Sequence, residues 1–410
     1  MTPAVVVVGG GPAGLATALV LGRAGVQTLL CERSSFPVDK PCGEGLLPSA
    51  VEKLAHFGVE ARDLARVGRP LAGVRYTSFA GVRAEAALPR GGAFGLRRTA
   101  LSLLLYDQVR ALPTVQILSG SDAEVRLAGL ARPEVWVAGE RIQPQLVIGA
   151  DGLASRVRRE MRLATRFEAP ARFGVRQHFA LDPWTEHVEV YFGRSREAYV
   201  TPLRDGVNVA LLWEPDGVKL DRSAPLVPRL LAAFPALAER LRGAASDRAR
   251  ASGPFHQHVE ERGAEGALLV GDAAGYVDAL TGEGVGLALA QAEVLERTLV
   301  PRLASADPAQ PLGARELEPA RRALAAVCRP HRRFTRWLLA LSRRPALFEP
   351  VIRLLARDAE LFRHFVAASG GARPPWRLPL GSALGLPALL LDELRRDHSR
   401  TVRHALRNTP

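Results

Sequence analysis

The chain has 410 residues, a formal net charge of +13 and three cysteines. This length allows two or more domains with substantial cores, and so few cysteines exclude a disulfide framework or a cysteine-based metal cluster. The positive charge is nearly all arginine, without an aromatic-studded basic module or a zinc finger, so we expect no metal site and no nucleic-acid partner.

The N-terminus carries no targeting pattern. The first strand is expected to begin at Val5, which leaves no room for a signal peptide before it. No run of about eighteen uninterrupted apolar residues occurs, so no transmembrane helix is predicted. These observations predict a cytoplasmic protein.

The stretch VVVVGGGPAG combines a strand with a glycine-rich turn. Val5–Val8 is a wholly apolar run of strand formers, as expected for a buried parallel strand. Gly9, Gly11 and Gly14 follow at a spacing that permits a tight turn, close approach of a pyrophosphate and close packing of helix on strand. The free N–H groups of the next helix favour phosphate. The stretch therefore predicts a dinucleotide pyrophosphate site.

A helix and a second strand ending in an acid complete this motif. The helix is expected over Ala13–Ala24, with Gly25 at its C-terminal cap, and the strand over Val26–Cys31. Glu32 is placed to accept hydrogen bonds from both ribose hydroxyls, which argues against the 2′-phosphate of NADP. The motif alone leaves NAD and FAD open.

Two more strand-to-acid motifs lie far along the chain. In LVIGADGLASRVRR, from Leu146, an apolar strand precedes the pair Asp151–Gly152, and Ser155 is placed to cap a short helix. In ALLVGDAAGYVDALTGEGVGLALAQAEVL a strand ends at Asp272, and a glycine-rich loop and a helix follow.

Together these motifs resemble those of the FAD-dependent aromatic hydroxylase and geranylgeranyl reductase superfamily. The resemblance rests on GGGPAG with Glu32, on GADGLASRVR, and on GDAAG followed by TGEG, in matching order and wide separation. It implies an α/β fold: a Rossmann-like FAD-binding domain, an antiparallel β-sheet substrate domain and a C-terminal helical extension. It also implies FAD as the cofactor and NADH or NADPH as a transient reductant.

The resemblance implies which residues contact FAD. Arg98 corresponds to an arginine that contacts FAD in this superfamily, and Cys42 lies in a loop that runs along the flavin. Cys42 either faces the flavin or is a small buried residue in a tight loop. The implied cofactor residues are Gly9, Gly11, Pro12, Ala13, Gly14, Glu32, Arg33, Cys42, Gly43, Arg98, Asp151, Gly152, Gly271, Asp272, Gly282, Glu283, Gly284 and Val285.

The sequence pattern changes to period-two alternation between Arg172 and Trp213, and a further hairpin is expected from Gly73. In the superfamily such a sheet covers the pocket over the flavin, so we expect an apolar cavity against one of its faces. Alternation groups side chains by face but does not identify the face that lines the pocket. The candidate substrate residues are Glu44, Arg176, His178, Tyr199, Thr201 and Trp213, and no side chain is assigned a catalytic role.

Two of these candidates have a plainer interpretation. Glu44 is also consistent with an exposed loop acid, and His178 with a histidine on the sheet surface or behind the substrate contacts.

The domains are expected to be discontinuous. After the linker ADPAQPLG the chain becomes helical and basic, with Phe334, Trp337, Leu338 and Leu341 at helical spacing before a break at Pro345. These helices either cap the FAD domain or contact a membrane surface where a lipophilic substrate enters. We expect an FAD-binding domain in residues 1–72, 98–170 and 256–302, a substrate domain in 73–97 and 171–255, and a helical region in 303–410.

The resemblance implies an enzyme that hydroxylates an apolar aromatic compound, such as a phenolic or polyketide-type secondary metabolite, with NAD(P)H and dioxygen. One alternative is a geranylgeranyl reductase-like enzyme acting on an isoprenoid or acyl chain; PCGEG and TGEG favour this branch. Another is a flavoprotein maturation factor that modifies a protein partner. The W-x-W signature of flavin halogenases does not occur, and of the reductase pattern Y-x-W-x-F-P only Pro202 is kept. The oligomeric state stays open.

Overall fold

A computed structural model describes residues 3–127, 132–168, 170–215 and 225–369. The last part of the predicted helical region, 370–410, lies outside the described residues. Two large sheets organise the described chain, and their strands lie in the segments that the sequence analysis gives to the two domains. The domain boundaries themselves stay a prediction.

The first large sheet has six strands and is parallel except at one edge. Its central strand is wholly buried and pairs in parallel with both neighbours, with Val6 opposite Val147 on one side and Leu29 on the other. Such a strand buries both faces, which is why its sequence is continuously apolar. In spatial order the strands are β21 (Gly263–Ala264), β22 (Ala267–Leu269), β12 (Leu146–Gly149), β1 (Val5–Val8), β2 (Thr28–Glu32) and β8 (Val115–Ser119).

The second large sheet has eight strands and is antiparallel except where two of its strands run side by side in parallel. Its strands, in chain order, are β5 (Gly73–Thr77), β6 (Arg83–Ala87), β14 (Phe173–Ala180), β15 (His187–Gly193), β16 (Arg196–Leu203), β17 (Gly206–Trp213), β18 (Ala245–Ser246) and β19 (Arg250–Ser252). β14, β17, β16, β15, β5 and β6 are successive neighbours, and β18 and β19 both pair with β14.

Small sheets complete the β structure. They contain β3 (Gly45–Leu46), β4 (Arg69–Pro70) and β7 (Phe94–Gly95); β9 (Glu124–Arg126), β10 (Glu134–Val137) and β11 (Glu140–Ile142); and β13 (Thr165–Phe167) with β20 (Gln257–Val259).

Helices cover both large sheets. They are α1 (Pro12–Arg23), α2 (Pro48–His56), α3 (Ala61–Val67), α4 (Arg98–Arg110), α5 (Arg156–Glu160), α6 (Leu226–Leu231), α7 (Pro235–Arg240), α8 (Gly284–Thr298), α9 (Val300–Ser305), α10 (Ala314–Ser342), α11 (Pro345–Arg357) and α12 (Ala359–Ser369). Pro345 is the first residue of α11, where its missing N–H costs no helical hydrogen bond. Within the described residues, no helix combines the length and hydropathy needed to cross a bilayer.

The two faces of the eight-stranded sheet bury different partners. One face packs on α6 and α7, with Val200, Val209 and Leu211 in that cluster. Part of the other face packs on α11 and α12, where Tyr76 and Phe192 meet Phe362 and Phe348. The rest of this second face is free to line a cavity, and it determines which of the predicted residues reach the site.

Candidate cofactor and substrate site

A cavity of about 530 Å³ lies between the two large sheets. The FAD motifs of the sequence analysis form one wall, and the eight-stranded sheet with the end of α12 forms the other. The predicted cofactor residues that line it are Gly11, Pro12, Ala13, Arg33, Cys42, Gly43, Arg98, Asp151, Gly152, Gly271, Asp272, Gly282, Gly284 and Val285.

The glycines of the first motif divide into two kinds. Gly9 has φ +108°, and a Cβ on Gly14 would lie 1.8 Å from the carbonyl oxygen of Gly9, so both serve the turn and do not line the cavity. A Cβ on Gly11 would have no protein atom nearer than 3.8 Å, and Gly43 and Gly284 have none within 4 Å. Bare backbone therefore faces open space at three places around the cavity, as a cradle for a dinucleotide requires.

Glu32 lies at the end of β2, directly beside this turn. Its Oε2 accepts a hydrogen bond from the N–H of Gly10 at 2.6 Å, and its Oε1 accepts one from the N–H of Ser34 at 2.9 Å. A carboxylate oxygen has a second lone pair, so both oxygens can still accept from ribose hydroxyls. The carboxylate therefore holds the turn. It is only 3% exposed and does not itself line the cavity, so its contact with the adenosine ribose stays a prediction.

We expect Glu32→Ala to weaken FAD binding by about 1.5–3 kcal/mol, because hydrogen bonds to a charged acceptor are lost. Titration of apoprotein with FAD, followed by flavin fluorescence, measures the change. Glu124→Ala, an exposed acid on β9, is the control and should bind FAD as the wild type does. Unchanged FAD affinity in Glu32→Ala would count against the ribose assignment.

Two cationic side chains, Lys40 and Arg98, face the middle of the cavity. A Cβ added to Gly152 would lie 3.7 Å from Lys40 Nζ, and one added to Gly11 would lie 3.8 Å from it. The ammonium group therefore lies between two of the motifs. Arg98 also faces the cavity, and its Nε has no hydrogen-bond partner within the described ranges. Burial lowers the pKa of Lys40, and the carboxylate of Glu32 offsets this in part. The buried Arg98 and the half-buried Lys40, beside bare backbone, fit the two phosphates of FAD.

Asp272 supplies the opposite charge in this region. Asp272 faces the cavity, where desolvation raises its pKa and the charges of Lys40 and Arg98 oppose that rise. Gly271 precedes it with φ +61°, and the N–H of Gly271 donates to Oε1 of Gln291 at 2.9 Å, which fixes the turn after β22. The placement of Asp272 in the cavity wall is compatible with the predicted hydrogen bond to the ribityl chain.

Two predicted cofactor residues use their side chains for hydrogen bonds within the protein. Asp151 Oδ2 accepts from the N–H groups of Arg156 and Val157 at 2.6 and 3.2 Å and so caps α5 with Ser155, whose cap was predicted. Glu283 points to α2, where Ser49 Oγ donates to it at 3.0 Å, and burial raises its pKa to about 7. Asp151 therefore reaches the cavity wall while its Oδ2 caps α5, and Glu283 itself is not in the wall.

On the substrate side, four predicted residues line the cavity with their polar groups already occupied: Glu44, Arg176, Tyr199 and Thr201. Tyr199 donates its hydroxyl hydrogen to the carbonyl of Leu280 at 2.9 Å, and Thr201 donates to that of Gly43 at 2.7 Å. Arg176 is held by both carboxylate oxygens of Asp39 at 2.6 and 2.7 Å. These side chains shape the wall but offer little to a polar substrate.

Two substrate candidates do not line the cavity, contrary to their predicted placement. Trp213 lies on the opposite face of the sheet, stacked on Phe173, because the face that lines the cavity carries its neighbour Leu212. His178 shares a face with Arg176 but lies outside the cavity lining, against Glu44. Glu44 does line the cavity, as predicted, but it is only 3% exposed, so the interpretation as an exposed loop acid is wrong.

Sequence reasoning missed two residues of the site. Lys40 was not assigned a role, although a lysine two residues before Cys42 is placed to reach the phosphates. Asn208 Nδ2 donates to the carbonyl of Cys42 at 2.9 Å. No local pattern predicts this contact, since the two residues are 166 positions apart.

Comparison with known proteins agrees with this geometry. The sequence profile of the FAD binding domain family matches residues 2–328. Menaquinone reductase of Mycobacterium tuberculosis is 30% identical over 318 residues, covering 68% of this chain and 72% of that protein. Digeranylgeranylglycerophospholipid reductase 2 of Methanopyrus kandleri is 28% identical over 306 residues, with the same coverage of 68% and 72%.

Solved structures show the same fold. The p-nitrophenol 4-monooxygenase of Pseudomonas putida superposes with a TM-score of 0.75 at 19% identity, covering 91% of this chain and 99% of that one. At this identity the likeness concerns the fold alone. With the profile match, the relatives and the cavity together, the chain belongs to the family of FAD-binding oxidoreductases that includes geranylgeranyl reductases and aromatic monooxygenases, and FAD is its cofactor.

Proposed function

We propose that the protein reduces a carbon–carbon double bond in an isoprenoid chain, such as that of a prenylquinone or prenyl lipid. The observation that carries the proposal is the apolar wall of the cavity opposite the FAD motifs. Its lining includes Val74, Val188, Val190, Leu212 and Val366. A chain without polar groups can be bound by such a wall through surface burial alone.

The polar side chains of this wall support the same choice. The hydroxyls of Tyr199 and Thr201 and the guanidinium of Arg176 are all engaged by protein groups. A site that selects a phenol or a carboxylate needs a polar partner for it, and a buried polar substrate group without one is costly. The 30% identical menaquinone reductase and the prenyl-lipid reductase among the relatives lend further support.

Bound in this cavity and reduced by NADH or NADPH, FAD would supply the hydride that saturation of an alkene requires, with the second hydrogen arriving as a proton. The chain's own residues bind and orient. Bare backbone at Gly11 and Gly152 with Lys40 and Arg98 would hold the pyrophosphate, and the apolar wall would exclude water from the reacting carbons. Burial raises the pKa of the Cys42 thiol, which is therefore uncharged near neutral pH.

Hydroxylation of an apolar aromatic compound is the second candidate. The observation that favours it is the group of aromatic side chains in the cavity lining, Tyr76, Phe255 and Tyr276, which would pack on a ring. It requires dioxygen as well as NAD(P)H, and this requirement separates the two reactions experimentally.

We expect the FAD-loaded protein, supplied with NADH or NADPH without oxygen, to saturate a double bond in the isoprenoid chain of menaquinone or of a geranylgeranyl lipid, a gain of two hydrogen atoms in the chain and not in the quinone ring. Mass spectrometry of the extracted lipid measures the product. Products that gain one oxygen atom from phenols in air, with no lipid reduction, would reject the reductase and support the hydroxylase. Neither product, with FAD bound, would favour a flavoprotein that acts on a protein partner.

A pair of matched variants tests the apolar wall. Val190→Thr places a hydroxyl on the cavity face, and Val200→Thr places one on the opposite face of the same sheet. We expect only Val190→Thr to raise KM for the isoprenoid, with FAD content unchanged in both. Equal KM values in the two variants would remove Val190 from the substrate wall.

A further inference from the structure

A buried polar cluster joins the eight-stranded sheet to the loop that carries Cys42. At its centre His178 Nε2 lies 2.6 Å from Glu44 Oε2, and His178 Nδ1 lies 2.8 Å from Asp247 Oδ2. His178 is 5% exposed and Glu44 3%, whereas 41% of the Asp247 side chain is exposed. The buried imidazole thus lies between two carboxylates, of which Glu44 is buried and Asp247 reaches the surface.

The loop of residues 41–45 needs such a restraint. Glu44 has φ +60°, a left-handed conformation that costs a non-glycine residue about 1–3 kcal/mol and persists only where the surroundings impose it. Its Oε1 accepts from the N–H of Arg98 at 2.8 Å, at the start of α4. Thr201 and Asn208 bind the carbonyls of Gly43 and Cys42 from two other strands. Side chains from β14, β16 and β17 therefore hold one loop.

The charged groups that face His178 come from four parts of the chain. Glu44 from the loop faces Nε2, and three groups face Nδ1: Asp247 Oδ2 at 2.8 Å from the segment before β19, Arg97 Nη1 at 2.9 Å, and Arg176 Nη1 at 3.0 Å on its own strand. Arg176 also binds Asp39, Arg97 binds Asp205, and Arg250 binds Asp39. Four carboxylates thus meet three guanidinium groups, so an imidazolium makes the cluster neutral.

We propose that Glu44, His178 and Asp247 form a clamp that holds the loop of residues 41–45 closed against the cofactor cavity while His178 is protonated. The clamp positions Cys42 and Gly43 in the cavity wall. His178 and Asp247 lie outside that wall, and Glu44 reaches it with both carboxylate oxygens already bonded to Arg98 and His178. The clamp is therefore independent of which reaction the protein catalyses. Its loss frees Glu44 from the left-handed conformation and lets the loop leave the wall.

The direction of the pH dependence follows from the cluster. Burial by itself lowers the pKa of His178, but the hydrogen bond and charge of Glu44, followed by the hydrogen bond of Asp247, outweigh burial and raise it. A group whose pKa is raised in the closed state stabilises that state at low pH, and this contribution is lost as the pH rises through the raised pKa. Neutral histidine has one N–H and can donate to only one of the two carboxylates.

Cys42 is a built-in reporter of this loop. Cys31 is 1% exposed and Cys328 2%, whereas Cys42 is reached from the cavity. We expect iodoacetamide to alkylate Cys42 of the FAD-loaded protein slowly, with peptide mapping to identify the residue. His178→Gln and Glu44→Gln should raise the rate by about tenfold or more, as expected for loss of a charged hydrogen bond. His187→Gln, on β15 of the same sheet, is the control and should react at the wild-type rate.

The pH series separates the clamp from the titration of the thiol. Thiolate formation raises the rates of variant and wild type alike, so the ratio of His178→Gln to wild type reports the clamp. The ratio should be large at low pH and approach one as the pH rises. A ratio that does not change with pH, a ratio of one throughout, or no alkylation in any variant would overturn the proposal.

A surface variant keeps the test valid if Glu44→Gln does not fold. Asp247→Asn removes the partly exposed carboxylate and leaves the buried pair in place. It should raise the alkylation rate less than His178→Gln does, with the same dependence on pH. Wild-type rates in folded Asp247→Asn and His178→Gln would overturn the clamp.

Discussion

Arg172→Met is expected to lower the free energy of unfolding by about 3–5 kcal/mol, the cost of leaving buried partner charges unpaired. Arg172 is 1% exposed, with Glu197 Oε2 at 2.5 Å, Asp278 Oδ2 at 2.9 Å and Glu214 Oε1 at 3.5 Å. Burial by itself would raise the pKa of Asp278, but the charges of Arg172 and His256 outweigh it and hold that pKa below its usual value. Without Arg172 these carboxylates must be protonated or take up water.

This variant should also impair the site. Asp278 Oδ1 accepts from the N–H of Leu280 at 3.0 Å, and Tyr199 binds the carbonyl of the same residue. The turn that leads to Gly282 and Gly284 is therefore anchored through Arg172. We expect weaker FAD binding together with the lower stability.

Urea unfolding of the apoprotein measures the stability change. Arg166→Met is the matched control, because the side chain of Arg166 is 71% exposed and its pair with Glu260, at 2.8 Å, lies on the surface. Such pairs contribute about 0–1 kcal/mol. If both variants unfolded at the same urea concentration, the buried cluster would not have the assigned role.

The double variant Lys40→Met, Arg98→Met should weaken FAD binding by about 3–6 kcal/mol, from two charge-assisted contacts of about 1.5–3 kcal/mol each. The corresponding affinity loss is about 10²–10⁴-fold. The physical reason is that two cations, the buried Arg98 and the half-buried Lys40, face the cavity, where bare backbone at Gly11 and Gly152 leaves room for the pyrophosphate.

The apoprotein should respond in the opposite direction. Burial already lowers the pKa of Lys40, and the charge of Arg98 lowers it further, so removing both cations should leave stability unchanged or raise it. FAD titration measures the expected loss of affinity, and urea unfolding of the apoprotein measures the expected unchanged or higher stability. Arg110→Met, at the exposed end of α4, should change neither. Wild-type FAD affinity in the double variant would show that the phosphates are bound elsewhere.

Much of the local structure was predictable from neighbouring residues. The predicted helix over Ala13–Ala24 is α1, Pro12–Arg23, and the strand over Val26–Cys31 is β2, Thr28–Glu32. The cap at Ser155 is present. These features depend on a few adjacent residues, on turn glycines and on the burial of a parallel strand, all of which can be recognised in sequence.

The sequence did not predict which face of the eight-stranded sheet lines the cavity. Period two groups Tyr199 with Thr201 and separates Leu212 from Trp213, but a shift of one residue exchanges the two faces. The choice is made by α6 and α7, which cover the side of Trp213. Helices from another part of the chain thus decide which residues line the cavity.

By itself, the sequence determined the dinucleotide turn, the acid at Glu32 and the order of the FAD motifs, because each is a property of a short, continuous stretch. Only the tertiary structure decided that His178 meets Glu44 across 134 positions, that Arg172 meets Asp278 across 106, and that Lys40 lies between two motifs. The local sequence around a charged side chain does not predict which residue it will pair with. Their pairing is fixed when the two sheets pack, because burial then requires each charge to find an opposite one.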